Sequence, residues 1–573
     1  MMISEFLARS ELTRRLSIFR KEFLWVGVFS LIANILMLTP TLYMLQVYDR
    51  VLVSQSELTL LVLTVILVFF FSVMAFAEWL RSRLLVRVGV RIDEELNSLV
   101  FNASFDAYLR NARRNIVEVF SDLTRLRQFL TGGGILAFFD IPWTPIYIAV
   151  IFLLHPLLGW ISVLFALVQL GVTYRSHRMT VSEIELAEKA GTDSTAYLQS
   201  KLRNIEPVHA MGMAGNLQRR WQDFYDQALD AGGLAYDKQQ KQRSFVKFAR
   251  YTMQSLTLGV GALLVIEGKL SPSAMVAGNV LMARALQPLD LVVSTWKSFI
   301  ESRMAFLRLE TLLTDYPERA KGSLFPAGPG GGLQLDGVTA TVPVRDAPIL
   351  DDLSLTCPAG STLVVLGPSG SGKSTLARCI LGIWPDVRGR VLIGGEPVES
   401  WDREALGPSL GYLPQDIELF EGTIAENISR FAEVDPEKVI EAAMRTGIHE
   451  MILRFPQGYD TQIGEGGSML SAGQRQRIGL ARALHGTPAL VVLDEPNANL
   501  DEAGERSLVQ TVRELREMGR TVVLITHRPA VLALADLVLI MDRGKVMQFG
   551  PRETVIAALR SSQTAAVQPQ QQG

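Results

Sequence analysis

A glycine-rich loop between an apolar strand and a helix is the feature of this sequence that is most typical of a chemical site. Residues 361–382 read STLVVLGPSGSGKSTLARCILG. The spacing Gly367-x-x-x-x-Gly372-Lys373-Ser374 is that of a phosphate-binding loop, because glycines let backbone N–H groups turn towards phosphate oxygens and the helix N-terminus favours negative charge. Lys373 is expected to pair with the β- and γ-phosphates, and Ser374 to ligate Mg²⁺. The predicted nucleotide-binding residues of this loop are Gly367, Pro368, Ser369, Gly370, Ser371, Gly372, Lys373, Ser374 and Thr375.

Two further apolar strands end in side chains that suit phosphoryl transfer. ALVVLDEP, residues 489–496, ends in two carboxylates, and TVVLITH, residues 521–527, ends in a histidine. Ligands of a parallel sheet lie outside the carboxyl ends of its strands. We therefore expect Asp494 to hold Mg²⁺ and Glu495 to be the base that polarises the attacking water. A single histidine at a strand end is more often structural, but beside a phosphate loop we assign His527 to the catalytic group.

These motifs lie in the second part of a chain whose composition changes along its length. Of the 573 residues 48% are hydrophobic, the mean hydropathy is +0.22, and nearly all long apolar runs fall before residue 300. The net charge of −2 argues against nucleic acid as a partner. The two cysteines, Cys357 and Cys379, indicate a reducing compartment and not a disulfide framework.

The first part contains six apolar runs that we predict to be membrane-spanning helices, each of which needs about 20 residues. The sixth is the weakest, because it contains Arg284, Gln287 and Asp290. The alternative, a set of buried core helices, is disfavoured by the number of long runs. Arginine and lysine cluster beside the connections 78–134 and 174–244, so these and both termini are expected on the cytoplasmic side. The predicted spans are 23–44, 58–77, 135–154, 157–172, 251–266 and 273–293.

The predicted fold is a multi-domain membrane protein, with a six-helix α-helical transmembrane domain followed by an α/β domain that carries the phosphate-binding loop. The glycine- and proline-rich stretch GSLFPAGPGGG, residues 322–332, is typical of a linker. The polar end of the chain is expected to be disordered. The predicted divisions are a cytoplasmic N-terminal segment 1–22, a transmembrane domain 23–312 with two long cytoplasmic loops, a linker 313–332, an ATP-binding domain 333–560 and a tail 561–573.

The second part of the chain resembles the ATP-binding cassette (ABC) ATPases. LSAGQRQR, residues 470–477, is similar to their signature motif, Gln415 in GYLPQD to their Q-loop, NLD at 499–501 to their D-loop, and IGEGG at 463–467 to the X-loop of ABC exporters. His527 matches their switch histidine. The resemblance implies a head-to-tail homodimer, in which each ATP lies between the phosphate loop of one subunit and the signature motif of the other. It assigns Gln415 to both catalysis and Mg²⁺ ligation, and it adds to the ATP-binding set Ser471, Ala472, Gly473, Gln474 and Asp501.

Two features depart from the pattern of that family. Ala472 stands where the signature motif has its second glycine, and the exchange of one small residue for another should be tolerated. Residues 337–350, where many cassettes place an adenine-stacking aromatic side chain, contain none. Val342 or Pro343 would then supply an apolar contact, and we predict weak selection between adenine and guanine.

The segment FFDIPWTPIY, residues 138–147, places a carboxylate and two prolines inside an apolar run. A charged residue in a span is costly unless it faces a bundle interior or a wet cavity, and each proline kinks the helix. One interpretation is a bent helix lining a hydrated cytoplasmic entrance. The other is that Asp140 caps a helix start, with Trp143 as an anchor at the membrane interface.

The membrane part is also similar to that of type I secretion ABC transporters, most of all to the branch that exports alkaline metalloproteases, lipases and haem-carrier proteins. The resemblance implies a multi-pass protein of the bacterial inner membrane, with its ATP-binding domain in the cytoplasm. Its implied partners are the lipid bilayer, a periplasmic adaptor (membrane fusion) protein, an outer-membrane channel protein, and a secreted protein with an uncleaved C-terminal signal. The resemblance rests on LQVYDRVL at 45–52, FFDIPWTPIY at 138–147, HPLLG at 155–159, NIEPVHAMGM at 204–213 and RALQPLD at 284–290.

Two other functions stay open at this point. The chain could export lipids or amphipathic drugs, since ABC exporters share the cassette. It could also be a membrane-anchored regulatory ATPase with no cargo, although the complete catalytic set argues against this.

Overall fold

The computed structural model describes residues 11–110, 116–202, 205–317, 331–342, 347–526 and 529–558. The chain separates into two compact units, Met1–Glu318 and Arg319–Gly573. The division falls inside the segment that the sequence predicts to be a linker, where glycine and proline disfavour regular structure.

The first unit is built from helices in the part of it that the structure describes. Helix α5 alone has 54 residues, which is about 80 Å at 1.5 Å per residue, whereas a bilayer core is about 30 Å thick. The polar connections that follow the second and fourth predicted spans therefore begin as helical continuations of those spans, which reach Arg110 and Leu202, respectively. The helices are α1 (Glu11–Leu16), α2 (Arg20–Leu36), α3 (Thr39–Gln46), α4 (Leu52–Ser54), α5 (Glu57–Arg110), α6 (Ile116–Thr131), α7 (Gly133–Asp140), α8 (Trp143–Leu154), α9 (Pro156–Leu202), α10 (Ile205–Ala210), α11 (Ala214–Ile266) and α12 (Pro272–Asp315), with a 3₁₀ turn at Ser17–Phe19 and a π-helical turn at Val47–Val51.

Several helical segments of this unit have the length and apolar composition that a membrane span needs. Outward-facing apolar side chains on α5, such as Val65 and Phe69, are each 61% exposed, as expected of a surface that contacts lipid. The predicted span 251–266 forms the end of α11, and the count of six spans stays a prediction. By length and composition the qualifying segments are Glu11–Ser54, Glu57–Arg110, Glu118–Leu154 and Pro272–Asp315, with a shorter apolar helix at Pro156–Gly171.

Two of the predicted spans are interrupted near prolines. The first predicted span, 23–44, lies within the span-length segment Glu11–Ser54, where a turn at residues 37–38 separates α2 from α3 and Pro40 lies in the first turn of α3. The kink predicted within 135–154 is confirmed, because residues 141–142 separate α7 from α8. Proline lacks the N–H that would continue the hydrogen-bond ladder of the preceding helix, so each helix restarts there.

The second unit is an α/β domain with two sheets. One sheet is antiparallel with the order β2-β1-β4-β5, and the other has the order β10-β9-β3-β8-β7-β6. The strands are β1 (Leu333–Ala340), β2 (Leu350–Cys357), β3 (Thr362–Leu366), β4 (Val387–Ile393), β5 (Glu396–Pro397), β6 (Leu410–Leu413), β7 (Leu490–Asp494), β8 (Thr521–Ile525), β9 (Leu537–Asp542) and β10 (Lys545–Pro551). The helices are α13 (Lys373–Ile380), α14 (Arg403–Leu406), α15 (Ile424–Ile428), α16 (Pro436–Arg445), α17 (His449–Leu453), α18 (Ala472–Leu484), α19 (Glu502–Glu517) and α20 (Pro529–Leu532), and residues 552–558 are also helical.

The centre of the larger sheet is parallel and buried on both faces. Strand β3 pairs with β8 and β9, and β7 pairs with β6 and β8, all in parallel. Every residue of β7 and β8 is buried, as is usual for strands covered on both sides. The phosphate loop after β3, the carboxylates at the end of β7 and the segment after β8 therefore lie at one edge of the sheet.

Candidate active site

The phosphate loop has the backbone that its glycines permit. Gly372 has a φ of +98° and is the N-cap of α13, a conformation that side chains with a Cβ rarely adopt. A Cβ at Gly367 would lie 2.3 Å from the carbonyl oxygen of Met541 on the neighbouring strand. Any larger residue at either position would force the loop away from the end of β3. The predicted loop residues Pro368, Ser369 and Gly370 are exposed, while Ser371 is buried and Thr375 is half-buried.

Lys373 lies at the start of α13 with its side chain folded back onto the loop. Its Nζ donates hydrogen bonds to the carbonyl oxygens of Gly367 at 2.8 Å and Pro368 at 2.9 Å. Burial lowers the pKa of Lys373, and the negative charges of Glu495 and Asp494 oppose that shift. A phosphate at this loop would replace the two carbonyl contacts with a charged partner.

Asp494 ends β7 and is 2% exposed. Burial raises its pKa, and a hydrogen bond with Ser374 opposes the shift. Among the described residues, neither Asp494 Oδ1 nor the buried Ser371 hydroxyl has a hydrogen-bond partner. A buried carboxylate oxygen and a hydroxyl are the ligand types that Mg²⁺ prefers, so the residues present fit the ion.

Glu495 follows in a left-handed backbone conformation, with a φ of +48°. Its backbone N–H donates to the carbonyl oxygen of Ile525 at 2.9 Å, which ties it to the end of β8. The side-chain amide of Gln415 donates to Glu495 Oε2 at 3.3 Å. A non-glycine residue with positive φ is held there by its surroundings, and such positions are frequent at active sites. The structure thus places the predicted base and the predicted Q-loop glutamine in contact.

Gln476 is a supporting residue that the sequence did not single out. Its side-chain amide donates to the carbonyl oxygens of Glu495 at 3.4 Å and Pro496 at 3.0 Å, and the residue is 1% exposed. It therefore helps to hold the turn after β7. Its place in the signature motif LSAGQRQR was the available signal, because a glutamine on the buried face of a helix needs polar partners.

The signature motif forms the beginning of α18. The Ser471 hydroxyl accepts from the backbone N–H of Gln474 at 3.3 Å, and the Gln474 side chain accepts from the Ser471 N–H at 2.8 Å, which is a capping box. Ala472 is exposed in the first turn of α18, so its methyl group is not buried within this chain. A Cβ at Gly473 would lie 2.8 Å from the Asn499 carbonyl oxygen, and this explains the glycine there.

Four other predicted residues have different outcomes. Asp501 caps α19 by accepting from the backbone N–H of Gly504 at 2.8 Å. Val342 is half-buried at the end of the described part of its segment. His527 and Pro343 lie outside the described residues, so their predicted roles stay predictions.

A second polar cluster lies in the membrane unit, around Asp140. Its Oδ1 accepts from the Asn34 side-chain amide at 2.8 Å and lies 3.7 Å from Arg81 Nη1. Tyr147 donates its hydroxyl hydrogen to the Asn34 carbonyl oxygen at 2.9 Å. Asp140 thereby links α7 to α2 and α5, two helices that come earlier in the chain.

The capping interpretation of Asp140 is wrong. Asp140 ends α7, while the N-cap of α8 is Pro142, which has no side-chain cap. Trp143 is only 7% exposed and packs in a cluster with Tyr147 and Leu281, so it is not exposed as an interface anchor would be. The entrance interpretation stays a prediction, and Asp140 does line a cavity of about 470 Å³.

Comparison with known proteins gives the same two-part organisation. Residues 23–289 match the family model of the ABC transporter transmembrane region, and residues 350–498 match that of the ABC transporter. The chain is 42% identical over 539 residues to the type I secretion system ATP-binding protein PrsD of Rhizobium meliloti (strain 1021), which covers 94% of this chain and 92% of that protein. It is 30% identical over 555 residues to the toxin RTX-I translocation ATP-binding protein of Actinobacillus pleuropneumoniae, covering 94% and 77%. The structure of a bacterial Atm1-family ABC exporter with ATP bound has the same fold, with a TM-score of 0.80, 23% identity, and coverage of 97% of this chain and 99% of that one.

Proposed function

Because the chain belongs to the ABC transporters, and among them to the ATP-binding proteins of type I secretion systems, we propose that its homodimer exports proteins that carry an uncleaved C-terminal secretion signal. The chain is a multi-pass inner-membrane protein whose cytoplasmic ABC domain couples ATP hydrolysis to export. The nature of the cargo, the dimer and the residue roles are the parts that we propose.

The hydrolytic roles rest on one observation, the contact between Gln415 and Glu495 at the sheet edge that also carries the phosphate loop. Glu495 is the proposed base that polarises the attacking water. Gln415 holds the Glu495 carboxylate in place through this hydrogen bond. Lys373 moves from its two carbonyl partners onto the β- and γ-phosphates of ATP. His527 is the proposed contact to the γ-phosphate from the neighbouring strand.

Ser374, Asp494 and Gln415 are the proposed ligands of Mg²⁺. The hydrogen bond between Asp494 and Ser374 brings two of these side chains together, and the unpartnered Oδ1 of Asp494 supports the assignment. When bound, Mg²⁺ would neutralise charge on the β- and γ-phosphate oxygens. The positive charge of the ion would then keep the Asp494 carboxylate ionised.

The homodimer is proposed because one chain carries one phosphate loop and one signature motif. In a head-to-tail dimer the exposed start of α18, with Ser471, Ala472 and Gly473, would cover the ATP bound to the partner. Positions 471 and 472 are exposed in the single chain, which leaves this helix start accessible. Closure of the two cassettes on ATP and their release after hydrolysis would move the membrane helices.

Protein cargo is proposed from the relatives. Their names describe type I secretion and toxin translocation, and the likeness extends over 94% of this chain, including the membrane unit in which a cargo would move. A periplasmic adaptor protein and an outer-membrane channel protein are the proposed partners. Together with the inner-membrane dimer they would form a path from the cytoplasm to the medium.

The test compares the proteins in the culture medium of cells that carry the intact chain or Glu495→Gln at matched protein levels. Glu517→Gln is the control, because Glu517 is exposed at the end of α19, away from the carboxyl edge of the sheet. One or a few proteins should disappear from the medium only with Glu495→Gln and stay in the cells with intact C-termini. An unchanged medium would contradict protein export and leave lipids or small amphiphiles as the cargo class.

A further inference from the structure

The cavity beside Asp140 is lined by more positively than negatively charged side chains. It has a volume of about 470 Å³, within the range of about 300–1,000 Å³ that is usual for ligand sites. Ten of its fifteen lining residues have polar side chains. The charged members are Asp140, Asp290, Arg243, Lys247, Arg250 and Arg284.

Both carboxylates of the cavity already have partners. Asp290 accepts from Arg250 at 2.7 Å and from the Gln169 side-chain amide at 2.6 Å. Asp140 accepts from Asn34 at 2.8 Å and lies 3.7 Å from Arg81, a cation that is not part of the lining. The two negative charges are therefore compensated within the bundle.

Three cations of the lining are left without a carboxylate. Within the ranges that the structure describes, Arg243, Lys247 and Arg284 form no ion pair. Arg284 donates to the Gln287 side chain at 3.1 Å, and Arg243 to the Ser294 carbonyl oxygen at 3.4 Å. These neutral acceptors satisfy hydrogen bonds but do not offset charge, so the cavity has an excess of positive charge.

The backbone explains why these cations point to one space. Arg243, Lys247 and Arg250 are spaced four and three residues apart on α11, and this spacing places them on one helix face. Arg284 lies one turn before Pro288, which is inside α12. Because proline has no N–H, the carbonyl group of Arg284 has no backbone donor from Pro288. The Thr144 hydroxyl donates to the next carbonyl group, that of Ala285, at 3.0 Å.

We propose that this cavity binds carboxylate groups of an acidic segment of the exported polypeptide, with Arg243, Lys247 and Arg284 as the binding cations. The inference rests on the proposed function, since it names the chemistry of the cargo that the cavity accepts. Arginine binds carboxylates through two parallel hydrogen bonds, and the amides and hydroxyls of Gln287, Asn34 and Ser294 suit a peptide backbone.

The test measures binding of labelled short peptides to the purified full-length chain, without nucleotide, in nanodiscs of zwitterionic lipid. One peptide is rich in aspartate and has an amidated C-terminus. A second has asparagine in place of aspartate and a free C-terminal carboxylate. A third has asparagine and an amidated C-terminus, and so carries no carboxylate. The first two distinguish side-chain carboxylates from the terminal one as the group that is bound.

Arg284→Gln and Lys247→Gln should each weaken binding of a carboxylate peptide by about tenfold or more, because each removes a charged hydrogen bond. Arg284→Lys should restore much of the affinity and also serves as a check on folding. The matched control is Lys241→Gln on the same helix, because Lys241 pairs with Asp237 and does not line the cavity. Its affinity should equal that of the unaltered chain.

Two results would overturn the proposal. The first is equal binding of all three peptides, or affinities that do not change in Arg284→Gln and Lys247→Gln. The second is displacement of the peptides by phosphatidylglycerol, with lipid binding lost in the same variants, which would assign the cations to a lipid headgroup. If either occurs while the secretion experiment still shows protein export, the cavity proposal fails and the proposed function stands.

Discussion

Gln415 and Glu495 lie 80 positions apart in the chain, and their side chains meet at 3.3 Å. Glu495 sits on a left-handed residue directly after β7, and Gln415 lies in the loop after β6, which is the parallel neighbour of β7. The contact thus depends on the order of two strands in the sheet. It joins the proposed base to the loop that follows the edge strand.

Glu495→Gln should retain ATP binding and slow hydrolysis by about 10²–10⁴-fold, the usual contribution of a general base. The amide keeps the size of the side chain and can still contact Gln415, but it cannot accept a proton from water. Phosphate release and ATP binding by the purified protein measure the two effects. Glu517→Gln should hydrolyse ATP normally, and turnover near normal in Glu495→Gln would show that the base is elsewhere.

Asp494→Asn should make the nucleotide-free protein more stable and bind ATP with Mg²⁺ more weakly. Burial raises the pKa of Asp494 above its ordinary value of 3.8, so the folded chain keeps this proton at pH values where the unfolded chain has lost it. Stability therefore falls as the pH rises from the ordinary value through the raised pKa, and the penalty persists above it.

The measurement for Asp494→Asn is the melting temperature across pH. At neutral pH the melting temperature of the variant should be higher, by about 2–4 °C for each kcal/mol added to the free energy of unfolding. The difference should vanish below the ordinary carboxyl range, where both states of the unaltered chain are protonated. A lower melting temperature of the variant at neutral pH would contradict a destabilising effect of burying this carboxylate.

The purified protein should hydrolyse ATP and GTP at similar rates. Residues 337–350 contain no aromatic side chain to stack on a purine, and stacking of a base on an aromatic ring is worth about 1–3 kcal/mol. Turnover with each nucleotide at equal concentration measures the selectivity. Introducing an aromatic residue by Val342→Tyr should increase nucleotide affinity, and strict preference for ATP in the unaltered chain would contradict the prediction.

Asp140→Asn should lower the stability of the membrane unit by about 1–3 kcal/mol, because Arg81 loses its negatively charged partner. Arg81 is 13% exposed and would keep its charge in a partly buried place. Melting of the purified protein measures the loss, and export at matched protein levels should fall with it. Asp237→Asn is the control, since the Asp237–Lys241 pair is exposed and should contribute little.

The sequence predicted the phosphate loop, the carboxylates after β7 and the kink near Pro142 because each depends on local backbone chemistry. Glycines permit the turn of the loop, five apolar residues before Asp494 predict a buried strand, and proline removes a backbone hydrogen-bond donor from a helix. The sequence did not show the break between α2 and α3, because the apolar pattern continues through it.

Tertiary structure decided which distant groups meet. The partners of Asp140 are Asn34 and Arg81, and no spacing in the sequence relates them. Asp290 pairs with Arg250 and not with Arg284, because α11 and α9 present their polar side chains to it while Arg284 lies more than one helical turn away on its own helix. Charge compensation in a helix bundle depends on how the helices pack, so the sequence determined which charges the bundle contains, and packing determined which of them stay available for a ligand.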